Sequence, residues 1–431
     1  MFEFFEGLIE KLGVKLISDF NTKLFNFIEN VKKNSEKDNN DSDKNSAQIG
    51  SSGYGAQIGS SGNRAQIGSS GNWAQIGSSG NRAQIGSSGN RAQIGSSGNR
   101  AQIGSSGNWA QIGSSGNRAQ IGSSGNWAQI GSSGNWAQIG SSGDGAQIGS
   151  SGYGAQIGSS GYGAQIGSSG YGAQIGSSGN WAQIGSSGNR AQIGSSGNRA
   201  QIGSSGYGAQ IDISGENSIG FACGYKTIIK AKNGTWISLA EYGVNEQKNI
   251  IPVFAKCAQI GNKEYKDYKG KMLKEDTYYI LWNKEFYIVE NYDEIWTIKL
   301  SEHKKENIKI IKAIDIDDLL EDKIKEIYIA TEGDLSAHGY TVREAIEDLT
   351  LKKLDNINKD EIIAEIKKKG KVTRSQYRAI TGACSFGTNK FCEDHNIQDL
   401  EEIELDKLRR ILINDYGAKE FWKMIDGKEV E

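Results

Sequence analysis

Between Ala47 and Gly208 the sequence repeats one nine-residue phrase eighteen times without a gap. The first seven residues are always Ala-Gln-Ile-Gly-Ser-Ser-Gly, and the last two are Asn-Arg, Asn-Trp, Tyr-Gly or Asp-Gly. A fixed short period predicts a solenoid, in which each coil packs only on its neighbours. An invariant frame with a small set of variable side chains is typical of a scaffold that displays a surface.

The repeat predicts that this solenoid is built from β-strands. Ala and Ile lie two residues apart, so on a short strand both side chains face inward and the Gln between them faces outward. The Gly-Ser-Ser-Gly segment is predicted to form the corner, because glycine adopts the left-handed dihedral angles of tight turns. Nine residues supply one strand and one corner, so a full coil needs two or three repeats. With two, the tract has nine coils and is roughly 40 Å long at about 4.8 Å per coil.

The variable positions favour two repeats per coil and supply the candidate binding surface. That surface consists of Arg64, Arg82, Arg100, Arg118, Arg190, Trp73, Trp109, Trp127, Trp181, Tyr153, Tyr162 and Tyr171. The first four arginines are eighteen residues apart and Arg190 continues their phase, whereas the four tryptophans have the opposite phase; Trp136, Arg91 and Arg199 are exceptions. Arg, Trp and Tyr dominate binding hot spots. Stacking that only stabilises the rod is the alternative role of the rings.

Charge and cysteine usage bound the class of protein. The net charge is −2, but the tract holds seven Arg and the single acid Asp144, so a weakly basic rod is flanked by acidic segments. The four cysteines have no disulfide-framework spacing, which predicts a reducing, cytoplasmic setting. The first residues lack the features of a signal peptide, and no apolar run is long enough to span a bilayer. We therefore expect a soluble protein without membrane contact.

Residues 1–32 are predicted to form an amphipathic association helix, because apolar residues recur at helical spacing along one stripe. The stripe consists of Phe5, Ile9, Leu12, Leu16, Phe20, Leu24, Phe27 and Val31. Residues 33–46 contain no apolar residue and are predicted to be a flexible linker. We expect the stripe to form a homo-oligomer or to dock on the open end of the solenoid; a helix on a membrane surface is the alternative.

Beyond Gly208 the repeat decays rather than stops. Residues 209–235 keep the nine-residue phase but carry larger side chains, which suits the last coils of a solenoid because no further coil buries them. We therefore expect degenerate repeats and a β cap domain over residues 209–299. Within it, two apolar runs flank Asn283-Lys284-Glu285 and predict a hairpin.

From about residue 300 the sequence is rich in charged residues, and its pattern predicts helices. Residues 300–431 are predicted to form a mainly α-helical domain, and Thr341 with Glu344 forms a capping box before its first helix. The predicted helices cover residues 342–354, 359–369, 374–394 and 404–426.

The repeat and the segment after it resemble uncharacterised proteins of bacteriophages and prophages from gut bacteria. The likeness lies in the Ala-Gln-Ile-Gly-Ser-Ser-Gly run and in the cap sequence Lys230-Ala-Lys-Asn-Gly-Thr-Trp-Ile-Ser-Leu-Ala240. The segments at 377–384 and 416–421 are similar to a helical module of such proteins. The resemblance covers most of the chain beyond residue 46. It implies a phage context and no specific activity or site.

Neither a metal site nor a catalytic site is predicted. A calcium β-roll needs an aspartate in each repeat, and only one repeat has one. Cys384, Cys392 and His395 lack a fourth ligand at a standard spacing, so buried thiols in a helix core are the better interpretation. No nucleophile with a base and no phosphate loop is present. We predict a non-enzymatic protein without a cofactor.

The densest basic cluster lies in the C-terminal part of the chain. It consists of Lys367, Lys368, Lys369, Lys371, Arg374 and Arg378. With Tyr377 alongside, this cluster would suit phosphate binding. A solvated segment balanced by nearby acids is the alternative.

The sequence thus predicts a phage-type β-solenoid that recognises a protein partner inside the host cell, with inhibition of a host defence factor as one outcome. Nucleic-acid binding through the arginine ladder and the basic cluster is the second hypothesis, and it predicts a steep loss of binding with salt. A passive spacer is the third. An ice-organising surface is disfavoured, since the serines lie beside bulky Trp and Arg.

Overall fold

The computed structural model describes residues 47–426 apart from 293–294, 321–323, 355–357, 384–387, 389–390, 393, 399 and 413–417. The predicted N-terminal helix and linker therefore lie outside the described residues. The chain divides into two compact units, Met1–Val289 and Glu290–Glu431. The fold class is confirmed: the protein is mainly β, with 43% strand and 15% helix, and its solenoid has about 11 turns of eighteen residues.

The solenoid is built from one four-residue strand per repeat. β1 (Gln48–Ser51) and β2 (Gln57–Ser60) are followed at nine-residue intervals by strands of the same sequence, up to β18 (Gln201–Ser204). Odd-numbered strands form one parallel sheet and even-numbered strands the other, which we call the odd sheet and the even sheet. Gln48 pairs with Gln66 and Gln57 with Gln75, so two repeats make one coil.

The interior holds the residues that the alternation pattern predicts. From Ala65 onward each repeat alanine is fully buried, and each repeat isoleucine from Ile67 onward is no more than 4% exposed. The first serine of each repeat also faces inward. In some repeats its hydroxyl accepts a hydrogen bond from the backbone of the next glycine, as Ser69 does from Gly71 at 3.3 Å, whereas in others, such as Ser105 and Ser123, the buried hydroxyl has no hydrogen-bond partner. The core is therefore a stack of identical Ala, Ile and Ser layers.

The predicted corner is wrong. The first glycine and the first serine of the Gly-Ser-Ser-Gly segment continue the strand, and the turn lies at the last glycine and the two variable residues. The left-handed residue is the ninth of each repeat, with φ between 54° and 66°. The last glycine is needed instead because the backbones of neighbouring coils come close together at that position. A Cβ at Gly107 would lie 2.0 Å from the carbonyl oxygen of Gly89, one coil earlier.

Degenerate coils and antiparallel strands follow the exact repeats. β19 (Gln210–Ile213), β20 (Ile219–Ala222) and β21 (Ile228–Ala231) continue the two sheets in register. On the even sheet, β22 (Trp236–Val244) pairs with β20 and is joined by the antiparallel β23 (Ile250–Gln259).

The odd sheet ends in the predicted hairpin. β24 (Tyr278–Trp282) lies antiparallel to β21 and pairs with β25 (Glu285–Tyr292). Asn283 and Lys284 form the turn with φ of 47° and 62°, the left-handed values of a two-residue hairpin turn. The hairpin prediction is confirmed.

The second unit begins with strands. β26 (Ile295–Lys305), β27 (Ile308–Asp315), β28 (Glu326–Glu332) and β29 (Leu335–Gly339) form an antiparallel sheet, with a short 3-10 helix at Ile316–Asp318. The prediction of a mainly helical segment from residue 300 is therefore wrong for residues 300–339. Lysines and glutamates on the solvent side of these strands gave the segment a helix-like composition, whereas alternating isoleucines such as Ile327 and Ile329 fill the core.

The helices begin at Val342. They are α1 (Val342–Leu354), α2 (Lys359–Lys369), α3 (Arg374–Thr381), α4 (Leu405–Ile411) and α5 (Ala418–Asp426), with β30 (Lys371–Thr373) paired to β31 (Glu402–Glu404). The capping box is confirmed, since the Glu344 amide donates to the Thr341 hydroxyl at 3.1 Å and the Thr341 amide donates to the Glu344 carboxylate at 3.2 Å. α3 is shorter than predicted because Gly382 ends it at φ 71°. Across the described ranges, no helix is long and apolar enough to cross a membrane.

The two glycines of one repeat are predicted to differ in their tolerance of a methyl group. Gly107→Ala should lower the free energy of unfolding by about 2 kcal/mol or more, because the new Cβ meets backbone of the previous coil. At Gly104 a Cβ meets nothing within 4 Å, so Gly104→Ala should be neutral or stabilising by about 0.5–1 kcal/mol. Urea unfolding of the two variants compares them, and equal midpoints would contradict the corner geometry.

Candidate recognition surface

The variable residues form two ridges along opposite edges of the solenoid. The Arg ridge comprises the eighth and ninth residues of the repeats that end at Arg64, Arg82 and every eighteenth residue up to Gly208. The Trp ridge comprises those of the repeats that end at Gly55, Trp73 and every eighteenth residue up to Arg199. Backbone hydrogen bonds join consecutive coils along each ridge, such as Arg64 to the Asn81 carbonyl at 2.9 Å. The eighteen-residue spacing thus places five of the seven arginines in one ladder and four of the five tryptophans in the other.

The ninth residue of every repeat adopts the left-handed conformation. Seven arginines and five tryptophans have φ between 54° and 62° there, and glycine has φ between 62° and 66° in the other six repeats. The left-handed region costs a residue with a Cβ about 1–2 kcal/mol, whereas glycine adopts it freely. Glycine is therefore the low-energy residue at a position where twelve repeats carry a large side chain.

An asparagine ladder accompanies these large side chains. Every Arg or Trp at the ninth position follows an Asn, and every Gly there follows a Tyr or Asp. The Asn63 side-chain oxygen accepts a hydrogen bond from the Asn81 amide of the next coil at 2.9 Å, and Asn72 accepts one from Asn90 in the same way. Each such bond contributes about 0.5–1.5 kcal/mol and offsets part of the left-handed cost. The pairing of Asn with Arg or Trp in every such repeat is the sequence signal of this ladder.

The aromatic side chains both stack and remain exposed. Trp109 and Trp127 stack with ring centroids 5.5 Å apart, and Tyr153 and Tyr171 stack at 5.4 Å. The ridge tryptophans are nevertheless 44–54% exposed. Stacking therefore stabilises the rod while one side of each ridge stays open to solvent.

The two arginines that break the predicted phase have a local explanation. The guanidinium of Arg91 lies 4.8 Å from the ring centroid of Trp73 in the previous coil, and that of Arg199 lies 5.0 Å from Trp181. These are cation–π distances. On the Trp ridge, arginine thus extends an aromatic stack.

Four of the five arginines of the Arg ridge have a different environment, whereas the guanidinium of the fifth, Arg190, lies 5.8 Å from the ring centroid of Tyr171. Within the part of the chain that the structure describes, Arg64, Arg82, Arg100 and Arg118 make no ion pair and no ring contact. Together with the neighbouring asparagines they line a groove of about 900 Å³ that ends at Trp136. Consecutive coils are about 4.8 Å apart, so these four positive charges lie within about 14 Å and repel one another. This row favours an anionic or acidic ligand.

The outer face of the odd sheet forms a second concave surface. Its floor is a column of glycines, flanked by a glutamine ladder in which Gln120 donates to Gln138 at 3.3 Å. The groove has a volume of about 1760 Å³ and runs along the solenoid to Asp212 and Tyr278. It offers amide groups and exposed backbone but no charge along the exact repeats.

The basic cluster of the second unit is largely paired within the chain. Lys369 binds Glu365 at 2.6 Å and Lys371 binds Glu402 at 2.9 Å. The guanidinium of Arg374 lies 3.6 Å from Glu347, and Arg378 pairs with Asp348. Lys367 and Lys368 are exposed at the end of α2. Because its positive charges are mostly matched by carboxylates, this cluster offers less to a phosphate than the Arg ridge does.

The cysteines and histidines form no site among the described residues. There, no group of three or more His, Cys, Asp or Glu is arranged to hold a metal ion. Cys384 lies outside the described residues, Cys392 is buried, and the His395 ring contacts Phe391 at 4.5 Å. Burial, reinforced by the nearby Cys257, raises the pKa of the Cys223 thiol to about 12. That thiol is therefore protonated, and a poor nucleophile, at neutral pH.

The strain at the ninth position predicts a stability gain on removing a ridge side chain. Arg100→Gly should raise the free energy of unfolding by up to about 1 kcal/mol, since glycine relieves the left-handed cost. Arg100→Ala keeps the Cβ and should give no such gain. Chemical denaturation of both variants measures the difference, and equal stability would mean that the position is unstrained.

No protein-family model, curated protein or solved structure matches the chain. The two ridges and the groove on the odd sheet are the candidate recognition surfaces.

Proposed function

We propose that the protein is a non-enzymatic recognition scaffold that binds a protein partner along the ridges of its solenoid. The observation that carries this proposal is the presence of twelve Arg and Trp side chains at left-handed positions. The same frame uses glycine there in six repeats, so the fold does not require these side chains. Residues kept at a conformational cost tend to mark functional positions.

The chemistry of the ridges suits a protein surface. Arg, Trp and Tyr are the residue types enriched in binding hot spots. Consecutive coils hold their backbone in fixed ladders, so little backbone freedom is lost on binding. The unpaired row from Arg64 to Arg118 would contact an acidic patch, and the Trp ridge would contact apolar side chains. The odd-sheet groove would add amide hydrogen bonds between them.

The partner is proposed to be a host protein in the cytoplasm of an infected bacterium. The support is the resemblance of the repeat and cap sequences to phage proteins, because phage proteins that act inside the cell meet host factors there. Interference with a defence factor is the form of this hypothesis that we favour.

Nucleic-acid binding is the second candidate, and the unpaired arginine row supports it. Aromatic rings beside cations also suit single-stranded nucleic acid, on which bases stack. The row holds only four charges, however, and the paired basic cluster adds little to it. The protein partner is therefore the better-supported proposal.

Affinity capture with the tagged full-length chain tests the proposal. Host lysate is passed over the wild type with and without nuclease, and over a variant in which Arg64, Arg82, Arg100 and Arg118 are changed to Gly. Glycine keeps the ridge backbone, because it already occupies the same position elsewhere. We expect one host protein in near-stoichiometric amount, resistant to nuclease and at least tenfold depleted on the variant.

The matched control changes Gln66, Gln84, Gln102 and Gln120 to Ala in the same coils, and it should retain more of the partner than the glycine variant does. Equal capture by the wild type and the glycine variant would contradict recognition through the Arg ridge. Nucleic acid recovered only without nuclease, and released as salt rises, would favour the second candidate.

A further inference from the structure

The Arg ridge is divided into two zones of different chemistry. Its first four coils carry exposed arginines at the ninth position, and these arginines line the groove of about 900 Å³. We call Arg64, Arg82, Arg100 and Arg118 the cationic zone. From Trp136 onward the same ridge carries mostly rings, with single cations between them. Positive charge and apolar surface therefore follow one another along a single line.

The second zone is a continuous run of ring contacts. The ring centroids of Trp136 and Tyr153 are 5.2 Å apart, and Tyr153 stacks on Tyr171 at 5.4 Å with the planes 3° apart. We call these three residues the aromatic zone. Their side chains are 40–54% exposed. Because neighbouring rings cover much of the ring faces, the surface that this zone offers to a ligand consists mainly of ring edges.

Two other occupants fit this arrangement less well. Single-stranded nucleic acid is held by bases that stack on open ring faces, but Tyr171 contacts Tyr153 in the previous coil and Arg190 in the next. A second copy of the solenoid would match the coil spacing. Its ridges carry the same positive charges, however, and its exact repeats contain a single acid, Asp144. The chemistry therefore favours an occupant that supplies its own row of carboxylates.

We propose that the Arg ridge binds an α-helix of the partner protein, laid along the solenoid axis. Carboxylates on one face of that helix contact the cationic zone, and apolar side chains farther along the same face contact the aromatic zone. Guanidinium and carboxylate groups form charge-assisted hydrogen bonds, which are stronger than neutral ones. This inference rests on the proposed function, since it specifies which part of a protein partner the ridge contacts.

The spacing of the coils favours a helix over an extended segment. Consecutive coils are about 4.8 Å apart, so the four arginines span about 14 Å. Four residues on successive turns of one helix face span about 16 Å, at about 5.4 Å per turn. Four alternate residues of a strand span about 20 Å, at about 6.7 Å per pair. The mismatch of about 2 Å for a helix is within the reach of a flexible arginine, whereas about 6 Å for a strand exceeds one coil.

The two zones together define the length of the bound helix. From Arg64 to Tyr171 the ridge advances by six coils, which is roughly 29 Å. An α-helix of about 20 residues has this length at about 1.5 Å per residue. Its carboxylates would occupy roughly half of that length and its apolar residues the other half. The class of partner is thus a helix whose exposed face is acidic at one end and apolar at the other.

Synthetic peptides test the proposal on the full-length chain. The probe is an alanine-based helix of about 22 residues with four Glu followed by three Leu, spaced three or four residues apart so that all seven share one face. Its control has the same composition with Glu and Leu on opposite faces. By fluorescence anisotropy we expect the probe to bind at least tenfold more tightly than the control.

Variants of each zone should weaken binding of the probe. Changing Arg64, Arg82, Arg100 and Arg118 to Gly should weaken it at least tenfold. Changing Trp136 to Gly, with Tyr153 and Tyr171 to Asn, should weaken it at least threefold; both new residues occur at these repeat positions elsewhere. The matched control changes Gln66, Gln84, Gln102 and Gln120 to Ala and should leave the affinity within twofold of the wild type.

Several outcomes would overturn the helix and leave the proposed function standing. These are equal binding of the probe and its control, tighter binding of an extended, proline-containing peptide with the same Glu and Leu content, or no binding of the probe while host-lysate capture still depends on the Arg ridge. Tighter binding of a thymidine oligonucleotide than of the probe, at the same salt concentration, would count against both the helix and a protein partner.

Discussion

The solenoid depends on the close contact between the last glycine of one repeat and the same glycine one coil earlier. The position of a Cβ at Gly107 is filled by the Gly89 carbonyl oxygen at 2.0 Å, so only glycine lets the corners stack at strand spacing. Inside each coil, Ala and Ile layers repeat without variation. A change of the Ala, the Ile, the first Ser or the last Gly would alter either the core or the corner contact, whereas the outward Gln and the first Gly lie outside both. Variation among the exact repeats is confined to the last two positions.

That confinement determines where function can reside. The two variable residues lie at the corners, and the eighteen-residue coil sorts them into two ridges with different chemistry. The Arg ridge carries an unpaired cationic row, and the Trp ridge carries stacked rings with Arg91 and Arg199 over them. Both are presented on left-handed backbone that glycine would adopt more easily. The ridges thus carry Arg and Trp at positions where glycine would be lower in energy.

Much of the architecture could be predicted because it follows from periodicity. The two-residue spacing of Ala and Ile determines the inward face, and the phase of Arg64 and Trp73 indicates two repeats per coil. The corner was misplaced because both glycines of Gly-Ser-Ser-Gly suit a turn, and sequence propensity does not assign a left-handed conformation to Arg or Trp. In the second unit, strands such as β27 carry lysine on the solvent side and so have a helix-like composition, although their apolar and charged residues follow strand spacing.

Both ridges depend on the eighteen-residue coil, and disulfide formation between ridge cysteines measures the length of that coil. In a chain whose native cysteines are changed to Ser, Arg100→Cys and Arg118→Cys lie in adjacent coils, at about the 4.8 Å strand spacing and within the Cα range for a disulfide. We predict rapid intramolecular oxidation of this pair and none for Arg91→Cys with Arg118→Cys, which are twenty-seven residues apart on opposite ridges. Oxidation of the second pair in place of the first would indicate three repeats per coil and rule out the two-repeat coil.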